Sequence, residues 1–246
     1  MKTAIVFGGT RGIGLEIVKI LLADNFYVLA AHRESSQLDD LLSLKNRYQS
    51  QIDLQLFEVE KEESYAKIVD HFLSKYAHIK FCINSIGALA SSEIGPERRL
   101  EDLQEKVLVD TFKVNTLPSL YIAKHIKPLV RASQQPVFCT LSAKVGSITD
   151  NKMGGWYSYR VTKAALNMAL KNISIEFARL NKNSSVVAIH PGTTETSLSK
   201  PFLENASKKY IIHQPKDSAK NIMGILMGPE NLNGKFISWD GTQIEW

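Results

Sequence analysis

Cysteine is almost missing from this 246-residue sequence: the two present, Cys82 and Cys139, sit in short apolar runs and show no Cys-x-x-Cys spacing. No disulfide framework or cysteine-held metal is therefore expected, and both thiols read as buried strand residues. No apolar run approaches the roughly 20 residues that span a bilayer. The opening Met1-Lys2-Thr3-Ala4-Ile5-Val6-Phe7 is too short for a secretory leader and runs straight into glycines. A cytoplasmic protein without a membrane partner is the expectation. Charge of one sign is not massed either: 30 Lys and Arg stand against 25 Asp and Glu, net +5, dispersed among one another. A nucleic-acid-binding face is therefore not expected. Internal repeats and low-complexity tracts are also lacking. A chain of this length can bury one large core, so one domain over residues 1–246 suffices.

What the sequence does contain is alternation. Short β-branched or aromatic runs at Ala4–Phe7, Tyr27–Ala31, Asp53–Phe57, Ile79–Ile83, Pro136–Leu141, Ser185–His190 and Lys235–Trp239 read as strands. Between them, helical spacing recurs after Gly14, over Ser36–Tyr48 behind a serine cap, over Glu62–Lys75, and over Leu103–Thr116 with a break near Pro118 before resuming through Val130. It returns behind Tyr157 and over Pro215–Met227. The pattern predicts a doubly wound α/β Rossmann fold: seven mostly parallel strands with helices on both faces. Residues 197–214 hold proline, lysines and little periodicity, and read as a substrate lid or as an irregular surface insertion.

Three stretches carry chemistry. Strand, Gly8-Gly9-Thr10-Arg11-Gly12-Ile13-Gly14, then helix is the context in which glycines admit a pyrophosphate to a helix N-terminus. The second strand ends in His32-Arg33 with no acid before it, so Arg33, with Arg11 from the glycine turn, favours a 2′-phosphate over a free ribose hydroxyl. That points to NADP (NADPH) in preference to NAD. Tyr159 and Lys163 stand four apart at a helix start, on one face. An ammonium held near a phenol lowers the phenol's pKa and makes it a general acid or base. The same spacing on an exposed helix face carries no chemistry, so the reading rests on the rest of the chain.

Together with Asn84-Ser85-Ile86-Gly87, Asn115 and Pro191-Gly192-Thr193-Thr194-Glu195-Thr196, these motifs resemble the short-chain dehydrogenase/reductase family across nearly the whole chain. Gly146-Ser147-Ile148, Gly154-Gly155-Trp156-Tyr157-Ser158-Tyr159 and Trp239-Asp240-Gly241 resemble its C-factor/sniffer-type carbonyl reductase branch. The resemblance implies an NADP-dependent oxidoreductase acting on a small carbonyl or alcohol substrate, with Tyr159, Lys163 and Asn115 catalytic. It implies that Gly8, Thr10, Gly12, Ile13 and Gly14 form the pyrophosphate turn and that Arg11 and Arg33 hold the 2′-phosphate. Glu58 and Val59 would meet the adenine, and Asn84, Ser85 and Gly87 the adenosine side. Pro191, Gly192, Thr194 and Thr196 would hold the nicotinamide amide, Lys163 the ribose hydroxyls, and Asn115 a water leading from Lys163 to solvent. No metal ligand is implied. A homodimer or homotetramer through the helices carrying Asn115 and Tyr159 is implied as well.

One position departs from the family pattern. Where its fifth strand ends Ser-Ser, this chain has Ser142-Ala143, and Ala143 falls on the serine that hydrogen-bonds the substrate carbonyl. Ser142 and Ser147 are the nearby replacements. The departure, with the branch's association with intercellular signalling, keeps open a second reading: an NADP-binding signalling or scaffold protein with weak turnover. Trp156 and Phe202 are expected as apolar pocket walls or as core.

Overall fold

The computed structural model describes residues 2–89, 95–200, 203 and 211–246. Seven strands form one sheet: β1 (Thr3–Phe7), β2 (Tyr27–His32), β3 (Ile52–Leu56), β4 (Phe81–Asn84), β5 (Val137–Leu141), β6 (Ser185–His190) and, last in sequence, β9 (Lys235–Ser238). Their spatial order is β3-β2-β1-β4-β5-β6-β9, and every pairing is parallel rather than mostly so. A parallel sheet needs cover on both faces, and alternate side chains of each strand supply it. Ile5 and Phe7 join one core with helices α3 (Glu62–Leu73), α5 (Leu117–Ala132) and α6 (Tyr157–Leu180). Ala4 and Val6 join the other, with α1 (Gly12–Ala23), α2 (Asp39–Tyr48) and α7 (Pro215–Met227). Helix α4 (Glu105–Asn115) packs on α5 and α6.

The doubly wound reading thus holds, with local corrections. Helix α2 starts at Asp39 instead of Ser36 and has no side-chain cap, and β4 starts at Phe81 instead of Ile79. A two-stranded parallel sheet, β7 (Thr193–Thr194) with β8 (Ile212–His213), went unforeseen because two residues are too few to show periodicity. The lid expected over 197–214 is described only at Ser197–Lys200, Leu203 and from Ile211 onward; Phe202 lies outside the described residues. Both cysteines are buried, as expected. Their register on β4 and β5 sets Cys82 beside Phe138 and Cys139 beside Ile83, so the two thiols face opposite cores. Among the described residues, no helix is long and apolar enough to cross a membrane.

β1 and β4 are neighbours in the sheet but far apart in sequence, so the chain leaves their carboxyl ends toward opposite faces and opens a crevice there. Phe7, Phe57 and Tyr65 brace that end, with ring centroids 5.5–5.6 Å apart; each such pair adds about 0.5–1.5 kcal/mol.

The far edge, β3, is stitched by one carboxylate. Asp53 lies 2.7 Å from both His71 Nε2 on α3 and Lys75 Nζ just past that helix, and accepts from Tyr27 Oη at 3.2 Å. Burial alone would raise its pKa, but the hydrogen bonds from Lys75 and His71 outweigh it and hold the carboxyl below the usual range. A depressed carboxyl stabilises fully above its unfolded value, near 4, and that contribution drains away as pH falls through the folded value. Asp53→Asn is therefore expected to lower unfolding free energy by about 1–3 kcal/mol at neutral pH. The gap from wild type should narrow in urea titrations run below pH ~4.

Candidate active site

A continuous cleft of about 2750 Å³ runs over the carboxyl ends of the strands from the glycine turn to Tyr159. Sites for drug-sized ligands measure roughly 300–1,000 Å³, so this one has room for a dinucleotide and a second molecule. Every cofactor residue expected from the sequence lines it except Asn84. Asn84 is buried; its Nδ2 donates to Ser119 Oγ at 2.9 Å and its Oδ1 accepts from the Ile86 N–H at 3.0 Å. Its register at the end of β4 turns it toward α5, where it anchors the strand end. Ser85 lines the cleft, yet its hydroxyl donates to Phe7 O at 2.8 Å and so fastens β4 to the glycine turn.

The turn is closed to added atoms. A Cβ on Gly14 would lie 2.3 Å from Gly8 O and 2.4 Å from Ser85 Oγ. Helix α1 then begins with no side-chain cap and no acid in its first turn, leaving its unpaired N–H groups and positive dipole end to the cleft. Arg11 and Arg33 are exposed on the cleft wall and, among the described residues, neither enters an ion pair. Glu58, in the loop just after β3, pairs with Lys61 at 2.7 Å. The donor set at this end suits a phosphorylated dinucleotide.

At the other end, α6 starts behind three successive left-handed residues, Gly154 (φ 65), Gly155 (φ 63) and Trp156 (φ 53). Glycine adopts that conformation without strain, and only Trp156 bears a side-chain cost. The first turn of α6 has no acid of its own; Glu97, 5% exposed, reaches in from the preceding loop to accept from the Ser158 N–H at 3.2 Å and from the Ser158 hydroxyl. Its backbone oxygen accepts from the Trp156 N–H. Sequence reasoning passed over Glu97 because nothing local marks a loop acid as a cap for a helix some 60 residues away.

Tyr159 and Lys163 are both buried, the Lys163 Nζ 5.8 Å from the Tyr159 ring centroid. Lys163 donates to Leu141 O at the end of β5, 3.0 Å away, and burial pushes its pKa down to about 8. Burial pushes the Tyr159 phenol up, opposite to the expected lowering. Desolvating a phenolate costs more than this ammonium returns, because Lys163 faces the ring and spends a hydrogen on Leu141 O. Tyr159 therefore keeps its proton at neutral pH.

Asn115 ends α4, buried, and does not line the cleft. Its Oδ1 accepts from the Ala88 N–H at 2.8 Å, and its Nδ2 donates to Ala88 O at 2.9 Å and Thr162 Oγ1 at 3.1 Å. Both amide hydrogens are thus spent on protein atoms, and the side chain clasps the peptide after Gly87 to the helix of Tyr159; it cannot also donate to a water. Thr194, in the Pro191 loop, turns its hydroxyl to Ser218 Oγ at 2.7 Å.

Both serines near Ala143 have their hydroxyls bonded to protein acceptors. Ser142 donates to Asn167 Oδ1 at 2.7 Å, and Ser147 donates to Glu245 O at 2.5 Å. The C-terminal segment carrying Thr242, Gln243 and Glu245 also lines the cleft. Sequence reasoning missed this segment, although Asp240-Gly241, set between Trp239 and the Ile244-Glu245-Trp246 end, was a turn signal that could have found it.

A family model for the short chain dehydrogenases matches residues 2–207. The chain is 28% identical over 250 residues to the 1-hydroxy-2-glutathionyl-2-methyl-3-butene dehydrogenase of Rhodococcus sp., covering 100% of each. It is 28% identical over 149 residues to the C-signal of Myxococcus xanthus, covering 60% of this chain and 83% of that protein. The carbonyl reductase Sniffer of D. melanogaster matches with a TM-score of 0.84 at 25% identity, 100% of each chain covered. The NADPH-bound carbonyl reductase from chicken fatty liver shares the fold, with a TM-score of 0.82 at 23% identity, covering 100% of this chain and 94% of that one.

Because Gly14 has no room for a Cβ, Gly14→Ala should cost about 1–3 kcal/mol of stability and abolish the fluorescence change that bound NADPH undergoes. Thermal melts and NADPH titrations check both.

Proposed function

Since this chain belongs to the short chain dehydrogenase family of oxidoreductases, we propose that it reduces a carbonyl compound with NADPH, Tyr159 supplying the proton. The observation that carries this reading is one cleft joining the glycine turn, Arg11 and Arg33 to the buried Tyr159–Lys163 pair. Gly8 to Gly14 would receive the pyrophosphate, Arg11 and Arg33 the 2′-phosphate, and Lys163 and the Pro191 loop the nicotinamide riboside. When bound, that group supplies the hydride that the carbonyl carbon gains. The phenol of Tyr159 gives its proton to the carbonyl oxygen, completing the alcohol, and is reprotonated from solvent. Lys163, close to the ring, steadies the phenolate left behind. Asn115 holds the loop after β4 against α6, so that cofactor wall and acid keep one spacing.

The protein would work as a homodimer or homotetramer through α4 to α6, whose outer faces expose Val109, Leu120, Val161, Met168 and Ile175. A second reading, an NADP-binding signalling protein with weak turnover, is favoured by Ala143 and by the likeness to C-signal.

Two measurements test these roles. Replacing Arg11 and Arg33 together by alanine should weaken NADPH binding by about 10- to 100-fold, as lost charge-assisted hydrogen bonds do, and leave NADH binding unchanged. Equal wild-type affinity for both cofactors would remove the role given to the arginines. In a screen of aldehydes, diketones and quinones, Tyr159→Phe should lower kcat by about 100-fold or more with NADPH affinity intact. If wild type turns over nothing faster than this variant, the signalling reading takes over.

A further inference from the structure

We propose that His190 donates the hydrogen bond that holds the substrate's carbonyl oxygen beside Tyr159, in place of the hydroxyl that Ala143 cannot supply. The inference rests on the carbonyl-reductase reading above and names the partner that reading lacks.

The hydroxyls around Ala143 are already committed. Ser142 and Ser147 donate to Asn167 Oδ1 and Glu245 O. Asn167 is fixed in that orientation by its own donation from Nδ2 to Gly146 O at 3.2 Å, so the acceptor end of its amide faces Ser142. Thr149 donates to Trp246 O at 3.1 Å and Thr242 to Asp240 Oδ1 at 2.7 Å. The Lys144 ammonium pairs with Asp150 at 3.2 Å.

His190 is placed differently. It is the last residue of β6, directly before Pro191-Gly192, and it lines the cleft that Ala143 and Tyr159 also line. The Ser142 N–H donates to Ile189 O at 2.8 Å, which brings the end of β6 alongside the Ser142–Ala143 peptide. Val186 and Ala188 belong to the core under α6, while Val187 and Ile189 belong to the opposite one. Strand alternation therefore puts His190 on the same face of the sheet as Tyr159 and Lys163. Its Nδ1 is buried without a hydrogen-bond partner. Nδ1 is closed off from the cleft, so the hydrogen offered to a carbonyl oxygen is the one on Nε2, which no protein atom among the described residues accepts.

The ring is suited to donating a hydrogen bond and not to giving up a proton. Burial, reinforced by the Lys144 charge, lowers its pKa to about 4 against the opposing pull of Asp240 and Asp150, with His213 adding to the lowering. At neutral pH His190 is a neutral imidazole with one N–H, able to polarise a carbonyl without competing with Tyr159 as the acid.

The test uses the full-length protein with NADPH and phenanthrenequinone. His190→Ala should lower kcat/KM by about 100-fold, the loss typical of one missing oxyanion donor, while NADPH affinity stays within about twofold of wild type. Adding the family hydroxyl in the double variant H190A/A143S should restore at least about tenfold of that loss, a rescue that a merely structural histidine would not give. Independently of turnover, wild type labelled with 15N-histidine and saturated with NADP+ should shift its His190 imidazole resonance when the quinone is added; the spectrum of H190A identifies the resonance. Wild-type activity retained in H190A, loss of NADPH binding in parallel with activity, no rescue by A143S, or an unmoved resonance would each overturn the proposal. If wild type reduces no carbonyl at all, the carbonyl-reductase reading falls on its own, and the resonance still decides whether His190 meets a carbonyl.

Discussion

The site depends on a lysine ammonium held out of water. Lys163 sits under the carboxyl edge of the sheet with Leu141 O as its hydrogen-bonded protein partner, and burial has already moved its pKa down to about 8. A solitary buried cation is a poor contributor to stability, so the surroundings must be firm enough to hold it. They are: α6 buries Leu166, Leu170, Ile173 and Phe177 against the sheet. Asn115 locks α4 to Thr162 next door, and Gly146 presses so closely on Lys163 that a Cβ there would meet the Lys163 backbone at 2.8 Å. The fold's stability is spent on keeping one charge beside one phenol.

Much of this was legible in the sequence because the signals were local. The strand, glycine turn and helix at the amino end, the arginines after β2 and the Tyr159–Lys163 spacing each occupy a few residues whose periodicity shows directly. What was not legible depended on side-chain direction across elements. Asn84 sits where a cofactor residue was expected, but only the strand register reveals that it turns to Ser119. Asn115 reads as a site residue, but only the structure shows that its side chain clasps the Ala88 peptide to Thr162. The phenol of Tyr159 was expected to be acidified by its lysine, whereas the balance of burial and Lys163's own hydrogen bond sets the opposite direction. His190 read simply as a strand end, since nothing in Ala-Ile-His-Pro-Gly reveals a ring nitrogen without a partner.

Ala143 gives the site its particular character. The loop after β5 keeps its hydroxyls, but Ser142 ties β5 to Asn167 on α6 and Ser147 ties that loop to the C-terminal segment at Glu245. These hydroxyls have become joints of the frame. In the proposed reaction a carbonyl would meet the Tyr159 phenol and, at the end of β6, the His190 imidazole, both of which line the cleft, so the polar character of the substrate end would come from aromatic rings more than from alcohols.

The carboxylate of Glu97 has a consequence for how the pocket admits its substrate. It belongs to the loop bordering the cleft, yet its hydrogen bonds finish the first turn of the helix that carries Tyr159. A guest small enough to leave that loop in place finds the acid already aligned. One that displaced the loop would take Glu97 from Ser158 and so loosen the first turn of the helix that carries Tyr159. Selection by size would thus register in turnover more than in affinity, with the loop acting as a gauge that is read at the reacting atom.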